Sequence, residues 1–193
     1  SSTMEYGTPV KIPDGRYFLK VSAKGDARVF HQVNNVPVES PLTKETRQVN
    51  LKVPSKTLFE NIDNELLSQA EVSKLEWFGK DVSAETIRSA YQASLSADGE
   101  LSASLAAIKG KVVTTFFDAQ KNPIEEISGA CDFLFELAGL WFLKRSFGPI
   151  WRVVQVRQRA APKPKTKGYP VEFQFADEPE AEAEEDDPTD YLD

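Results

Sequence analysis

ACDFLFELAGLWFLKRSFGPIWRVVQVRQRAAPKPKTK, residues 130–167, is the stretch on which the reading of this chain turns. In an extended chain Phe133, Phe135, Leu137, Gly139 and Trp141 share one face, and Leu134, Ala138, Leu140 and Phe142 share the other. A strand apolar on both sides belongs in the middle of a sheet, so several of these rings must be core. The pattern predicts strands over 130–144 and 150–159, joined by a turn containing Gly148-Pro149. Phe147, placed in that turn, is the ring expected to be exposed.

Charge in the same stretch is segregated. No acid occurs between Glu136 and Glu172, while Lys144, Arg145, Arg152, Arg157, Arg159, Lys163, Lys165 and Lys167 are all cationic. Single lysines and arginines are normally only solvated surface; a set this long without an acid is not. An unpaired nucleic-acid strand exposes both phosphates and base faces, so its binder needs cations interleaved with flat rings. Trp141, Phe147 and Trp151 are therefore the stacking candidates, and Lys144, Arg145, Arg152, Arg157 and Arg159 the phosphate candidates. Lys163, Lys165 and Lys167 would extend the track along a linker stiffened by Pro162 and Pro164. Nothing here resembles a helix shaped for a duplex groove.

Outward from that hairpin, residues 1–15 read as an irregular arm containing Gly7, Pro9, Pro13 and Asp14-Gly15. RYFLKVS (16–22) and ARVFHQV (27–33) are strand-like and joined by Lys24-Gly25-Asp26, and RQVNLKV (47–53) alternates as a third strand. From Lys56 to Phe78 apolar residues recur every three or four positions, which predicts a helix capped by Ser55 and closed by Gly79. A second helix is expected over 84–94, capped by Ser83. Strands resume at 100–106 and 111–119, with a turn at Lys121-Asn122-Pro123, and a short VEFQF run (171–175) can add an edge. The fold class is mainly β with a helical insertion at about 55–95, an α+β arrangement. It suits a partly open, five-stranded barrel of the OB type or a small sandwich. The expected organisation is a domain over 1–175 and a disordered acidic tail over 176–193.

The net charge of −7 at first argues against a polyanionic partner. The average misleads, because ADEPEAEAEEDDPTDYLD (176–193) holds a third of the 30 acids and no base. Residues 1–175 keep all 23 bases and are net positive. A tethered polyanion beside a basic groove can mimic nucleic acid, be displaced by a real strand and then be free to grip another protein. Asp186, Asp187, Asp190, Tyr191 and Leu192 are the candidate contacts of that tail.

Catalytic equipment is sparse. His31 is the sole histidine and reads as a strand residue; Cys131 is the sole cysteine and reads as small core. One cysteine excludes an intrachain disulfide and a cysteine-based zinc site within the chain. No GxxxxGK[ST] or GxGxxG loop is present. Glu125-Glu126 and the acids at 184–187 are expected to be solvated rather than to hold a metal. The expectations are no enzyme, no cofactor and no metal. No apolar run reaches the ~18 residues of a membrane span, and the start lacks a signal-peptide layout, so an intracellular protein without a membrane partner is expected.

VVTTFFDAQKNPIEEI (112–127), FELAGLWFLKRSFGPIWRVVQV (135–156), the Lys/Pro linker and the acidic end together resemble the single-stranded DNA-binding proteins of large DNA viruses. Those are similar to the phage T7-type SSB, with its OB fold and acidic C-terminal tail. The likeness covers about residues 100–193. It implies non-catalytic coating and protection of unwound DNA during viral replication, recruitment of replication proteins through the tail, and a location in host cytoplasm or nucleus. One departure is that T7-type tails end in an aromatic residue, whereas Tyr191 is followed here by Leu192 and Asp193. Two other readings stay open. One is a virion or scaffold protein whose aromatic strands form a homo-oligomer interface; the other is a single-stranded RNA binder, since an OB fold accepts either sugar.

Overall fold

Two long strands organise the molecule, and their length follows from their apolar parity. The computed structural model describes residues 4–161. In chain order the elements are β1 (Glu5–Tyr6), β2 (Val10–Lys11), β3 (Tyr17–Ser22), a 3-10 turn (Lys24–Asp26), β4 (Val29–Thr43), β5 (Gln48–Lys52), α1 (Thr57–Val72), α2 (Lys74–Phe78) and α3 (Ala84–Ala90). They continue with β6 (Glu100–Leu105), β7 (Ala107–Ile108), β8 (Lys111–Val112), β9 (Thr115–Phe117), β10 (Pro123–Ile124), β11 (Glu126–Phe142) and β12 (Phe147–Gln158).

β11 and β12 form an antiparallel hairpin at the centre of the sheet. From Glu126 to Leu137, β11 pairs on its other edge with β4, and its last four residues pair with β3. β12 passes the sheet on to β6 and β5 and runs parallel to β9. The sheet path β1-β3-β11-β12-β6-β5 does not close on itself. The class is thus mostly β with a few helices, as the pattern predicts.

The core lies on one face of the hairpin, under the helices. Phe133, Phe135, Leu137, Leu140, Phe147, Trp151 and Val153 point into it and meet Phe59, Leu66 and Ile87 from α1 and α3. A polar network locks the helices to the sheet. Asp63 of α1 accepts hydrogen bonds from the Tyr91 hydroxyl (2.6 Å), the Ser94 amide (3.0 Å) and Ser94 Oγ (2.7 Å). Ser94 Oγ in turn accepts from Trp151 Nε1 (2.9 Å). Burial, then the Asp63 charge, push the Tyr91 hydroxyl far above its ordinary range, so it stays a donor.

Several local expectations are corrected. The arm is not wholly irregular, since β1 and β2 pair with β3. The strand begun at Val29 continues to Thr43 through Pro37 and Pro41, which an edge strand tolerates because its outer amides need no partner. The single helix breaks at Ser73 (φ −103°, ψ 20°), and it starts at Thr57 after Lys56 rather than under a Ser55 cap. Ser83 does cap α3, accepting from the Thr86 amide, but α3 ends at Ala90. The 111–119 strand is split because Thr114 turns inward to donate to the Val153 carbonyl (2.6 Å) and accept from the Ala106 amide (2.8 Å).

The hairpin turn is also not at Gly148-Pro149. It lies at 143–146, closed by the Leu143 amide donating to the Ser146 carbonyl (2.8 Å), and Gly148 and Pro149 sit within β12. Two glycines explain the geometry. A Cβ on Gly139 would collide with the Leu19 carbonyl oxygen and lie 2.7 Å from the Phe18 ring; one on Gly148 would lie 3.0 Å from the Trp141 ring. Only hydrogen at these positions lets β3 and the Trp141 indole close down on the hairpin. Replacing Gly139 with alanine is expected to destabilise the fold by about 3 kcal/mol through forced separation of β3 from β11. Urea unfolding monitored by circular dichroism measures this.

Candidate nucleic-acid interface

The face of the hairpin turned away from the helices is decided by bulges. In β11 Phe133, Phe135 and Leu137 point inward at odd positions, but the register slips at Ala138, since Leu137 pairs with Trp151 and Gly139 with Ile150. Beyond that bulge the even residues Leu140 and Phe142 are buried and Trp141 turns outward, half-buried. Phe18 of β3 is its register partner and lies beside it over Gly139.

Around this pair is a groove of about 470 Å³, lined by Arg16, Phe18, Trp141, Ile150, Arg152 and the polar side chains Gln48, Gln92, Ser102 and Ser104. It contains no acidic lining residue. Phe18 and Arg152 also border a second hollow of about 440 Å³, with Lys20, Arg28, Asp26 and Glu136. Here the cations are paired at one edge: Lys20 with Asp26 (2.8 Å) and Arg28 with the buried Glu136 (2.8 Å). Arg152, half-buried between the two hollows, has no ion-pair partner among the described residues.

The track continues along the same face. Phe30 of β4, opposite Glu136, is 46% exposed, a large ring left in solvent. At the far end Phe117, Gln32, Lys121, Gln155 and Arg157 surround a third hollow of about 320 Å³. From Asp132 to Trp141 the strand covers about 30 Å at ~3.3 Å per residue.

Asp132 organises that end. It is 5% exposed and accepts from Arg157 Nε (2.9 Å) and Nη2 (2.6 Å), Arg159 Nε (2.8 Å) and the Asn35 amide (2.9 Å). Burial pushes its pKa up, but these hydrogen bonds, Asn35 first and the two arginines next, outweigh burial and hold it below the ordinary 3.8. The neighbouring Cys131 thiol is pushed up to about 12, by burial first and the Asp132 charge second. It is a buried core thiol.

The sequence-predicted set is therefore only partly assembled. Trp141 and Arg152 share one groove. Arg157 and Arg159 reach the same face but are tied to Asp132 rather than free. Phe147 and Trp151 are corrections: both are sealed in the core, 1% and 3% exposed, and cannot stack on a base. Phe147 stacks on Phe142 at 5.5 Å, and Trp151 meets Phe59 edge-on at 5.2 Å. The cause is the displaced turn for Phe147 and inward parity for Trp151. Lys144 and Arg145 are exposed at the hairpin tip and border a separate groove of about 950 Å³ facing α2 and α3. Lys163, Lys165, Lys167, the 171–175 run and the tail residues Asp186, Asp187, Asp190, Tyr191 and Leu192 lie outside the described residues.

Sequence reasoning missed Phe18, Phe30 and Phe117. The signal was present, because Phe18 shares parity with Arg16, Lys20 and Ser22, and Phe30 with Gln32 and Asn34. An aromatic on the polar parity of a strand is a ring held toward solvent. Among the described residues no three His, Cys, Asp or Glu side chains gather as a metal site, and no helix is long and apolar enough to cross a membrane.

A model for a family of unknown function, DUF5871, matches residues 34–177. The chain belongs to DUF5871. Among solved structures, this DUF5871 protein is similar to a single-stranded DNA-binding protein from bacteriophage Enc34, determined as a C-terminal truncation. Identity is 13% and the TM-score 0.44, over 83% of this chain and 96% of that one. At that score the likeness decides nothing about the ligand of the DUF5871 protein. No curated protein matches it.

The lowered pKa of Asp132 fixes a pH dependence. Its contribution to stability is fully present above the unfolded value and is lost as pH falls through the lower folded value. Asp132→Asn is expected to cost on the order of 2 kcal/mol at neutral pH. That deficit should shrink as pH falls below about 4, and urea midpoints of both proteins across pH 2.5–7 read it directly.

Proposed function

We propose that this DUF5871 protein binds single-stranded DNA along the outer face of the β11–β12 hairpin and performs no catalysis. The observation that carries the reading is the groove without an acidic lining residue in which Phe18 and its register partner Trp141 are joined by Arg152 and by Arg16, the latter paired with Asp14 (2.7 Å). Rings held half-open over glycines offer faces for bases, and Arg152, with no ion-pair partner among the described residues, offers its charge to a phosphate. A track about 30 Å long accommodates a site at the small end of the ~4–16 nucleotides typical of one OB-type module. An OB-like topology, opened and enlarged by added strands and the helical insertion, is the reading of the fold that goes with it.

The wider role follows from the resemblance and from charge. We read the protein as a viral replication protein that coats unwound DNA and, through the acidic segment 176–193, exchanges the strand for replication partners. Deleting residues 177–193 is expected to tighten single-strand binding at low salt and to lower its salt sensitivity only slightly. Unchanged affinity at low salt removes the autoinhibitory role of the tail.

The protein holds three tryptophans, of which Trp77 (6% exposed) and Trp151 (3%) are core. Titration of intrinsic fluorescence with a dT oligomer of roughly 30 nucleotides is therefore expected to quench Trp141 alone, and Trp141→Phe should abolish the quench while retaining binding. Trp141→Ala should weaken binding roughly five- to hundredfold, matching a stack worth ~1–3 kcal/mol. Arg152→Ala should weaken it for all sequences and reduce the slope of log affinity against log salt by about 0.7. A dT titration that leaves fluorescence unchanged at both low and moderate salt overturns the reading. Competition between poly(dU) and poly(U) separates DNA from RNA, because the 2′-hydroxyl is the group in which the two differ.

A further inference from the structure

The hollow at the Arg157 end of the outer face differs from the groove around Trp141. It is small, about 320 Å³, at the low end of the ~300–1,000 Å³ of small-ligand pockets. Its aromatic lining is Phe117, which the parallel pairing of β9 with β12 places directly beside Arg157, and the fully buried Phe133. Its volume has room for one flat heterocycle, not a stack of them. Its polar groups also differ: Lys121 and the Asp132 carboxylate join its side-chain amides and its guanidinium is fixed, whereas the Trp141 groove has hydroxyls beside its amides and an arginine with no ion-pair partner among the described residues.

Each polar group has a defined remaining valence. Arg157 spends Nε and Nη2 on Asp132, so Nη1 is the guanidinium nitrogen left to face a ligand. Its plane is held by a nearly buried carboxylate, so little side-chain entropy remains to be lost on binding. Gln32 donates its amide N–H to Asn34 Oδ1 (2.8 Å), which leaves its carbonyl oxygen as an acceptor. Gln155 has no side-chain partner among the described residues and can donate or accept. Lys121 stands at the lip on a turn pinned by its amide donating to the Asp118 carbonyl (3.0 Å), with φ of 72°.

Resting on the single-strand reading above, we infer that this hollow takes one unpaired base and selects keto bases, thymine or guanine, over the amino bases cytosine and adenine. A keto base presents a carbonyl oxygen next to a ring N–H. The cationic donors Arg157 Nη1 and Lys121 Nζ match the oxygen, and the Gln32 carbonyl matches the N–H. In that same pose cytosine and adenine place an exocyclic amine where the keto bases place oxygen, which sets N–H donors against the donors of Arg157 and Lys121. The face is thus divided: Phe18, Trp141 and Arg152 hold any strand, and the Phe117 hollow reads one position in it.

The test compares dT, dU and dC oligomers of one length, ~12 nucleotides, by fluorescence anisotropy on the full chain. A matched base edge is worth ~1–3 kcal/mol of discrimination, so the wild type is expected to bind dT and dU about tenfold more tightly than dC. Gln32→Ala combined with Gln155→Ala should reduce that preference below about twofold, and Phe117→Ala should weaken all three. Equal wild-type affinity for dT, dU and dC, with Trp141→Ala still weakening each, overturns the base-reading role and leaves the single-strand reading standing. A dU oligomer that behaves like dC assigns any dT preference to the methyl group and overturns keto selection. No binding of any oligomer sinks the underlying reading, and this inference with it.

Discussion

The structure depends on the approach of the β3 backbone to Gly139. The Leu19 carbonyl oxygen occupies the space where a side chain at 139 would begin, and that proximity lets β3 pair with the final residues of β11. The bulge at Ala138 sits immediately before this crossing. Together they reverse which side chains of β11 face the helices, so Leu140 and Phe142 complete the core and the indole of Trp141 is turned to the opposite side. Phe18, carried on β3, arrives beside that indole as a consequence of the same pairing.

The two faces of the hairpin then obey different rules. Inside, rings pack edge to face and stacked, as Phe147 does on Phe142 and Trp151 on Phe59. The one polar network among them, from Asp63 to Ser94, Tyr91 and Trp151, has its hydrogen bonds satisfied, as a low-dielectric interior demands. Outside, acids are present mainly to hold cations. Glu136 and Asp132 are nearly buried and grip arginines whose side chains are 44–62% exposed. Ion pairs with so much solvent access on one partner add little stability, about 0–1 kcal/mol each. Their effect is geometric: they place Arg28, Arg157 and Arg159 along the edge of an aromatic track and leave Arg152 in its middle with no ion-pair partner among the described residues.

Much of the architecture was legible in the alternation of residues. The strand pairs at the centre, the helical segment between strands and the cap of α3 by Ser83 all follow from local period and turn chemistry, and each is present. The candidate site was half legible. Arg152 and Trp141 were found through charge segregation and aromatic content, but the same criteria selected Trp151 and Phe147, which the core absorbs. Charge and ring counts along a strand cannot separate its two faces once a bulge intervenes, since one inserted residue inverts every assignment beyond it.

By itself the sequence determined that a β-rich body with a net positive charge precedes a strongly acidic segment, and that cations without acids follow an aromatic strand. These are properties of composition and period, and no folding is needed to read them. Which rings face solvent was decided only in three dimensions, by the slip at Ala138, the turn at 143–146 and the arrival of β3 over Gly139. Register and close approach are relations between distant segments, and a local pattern carries no record of which neighbour will lie against it.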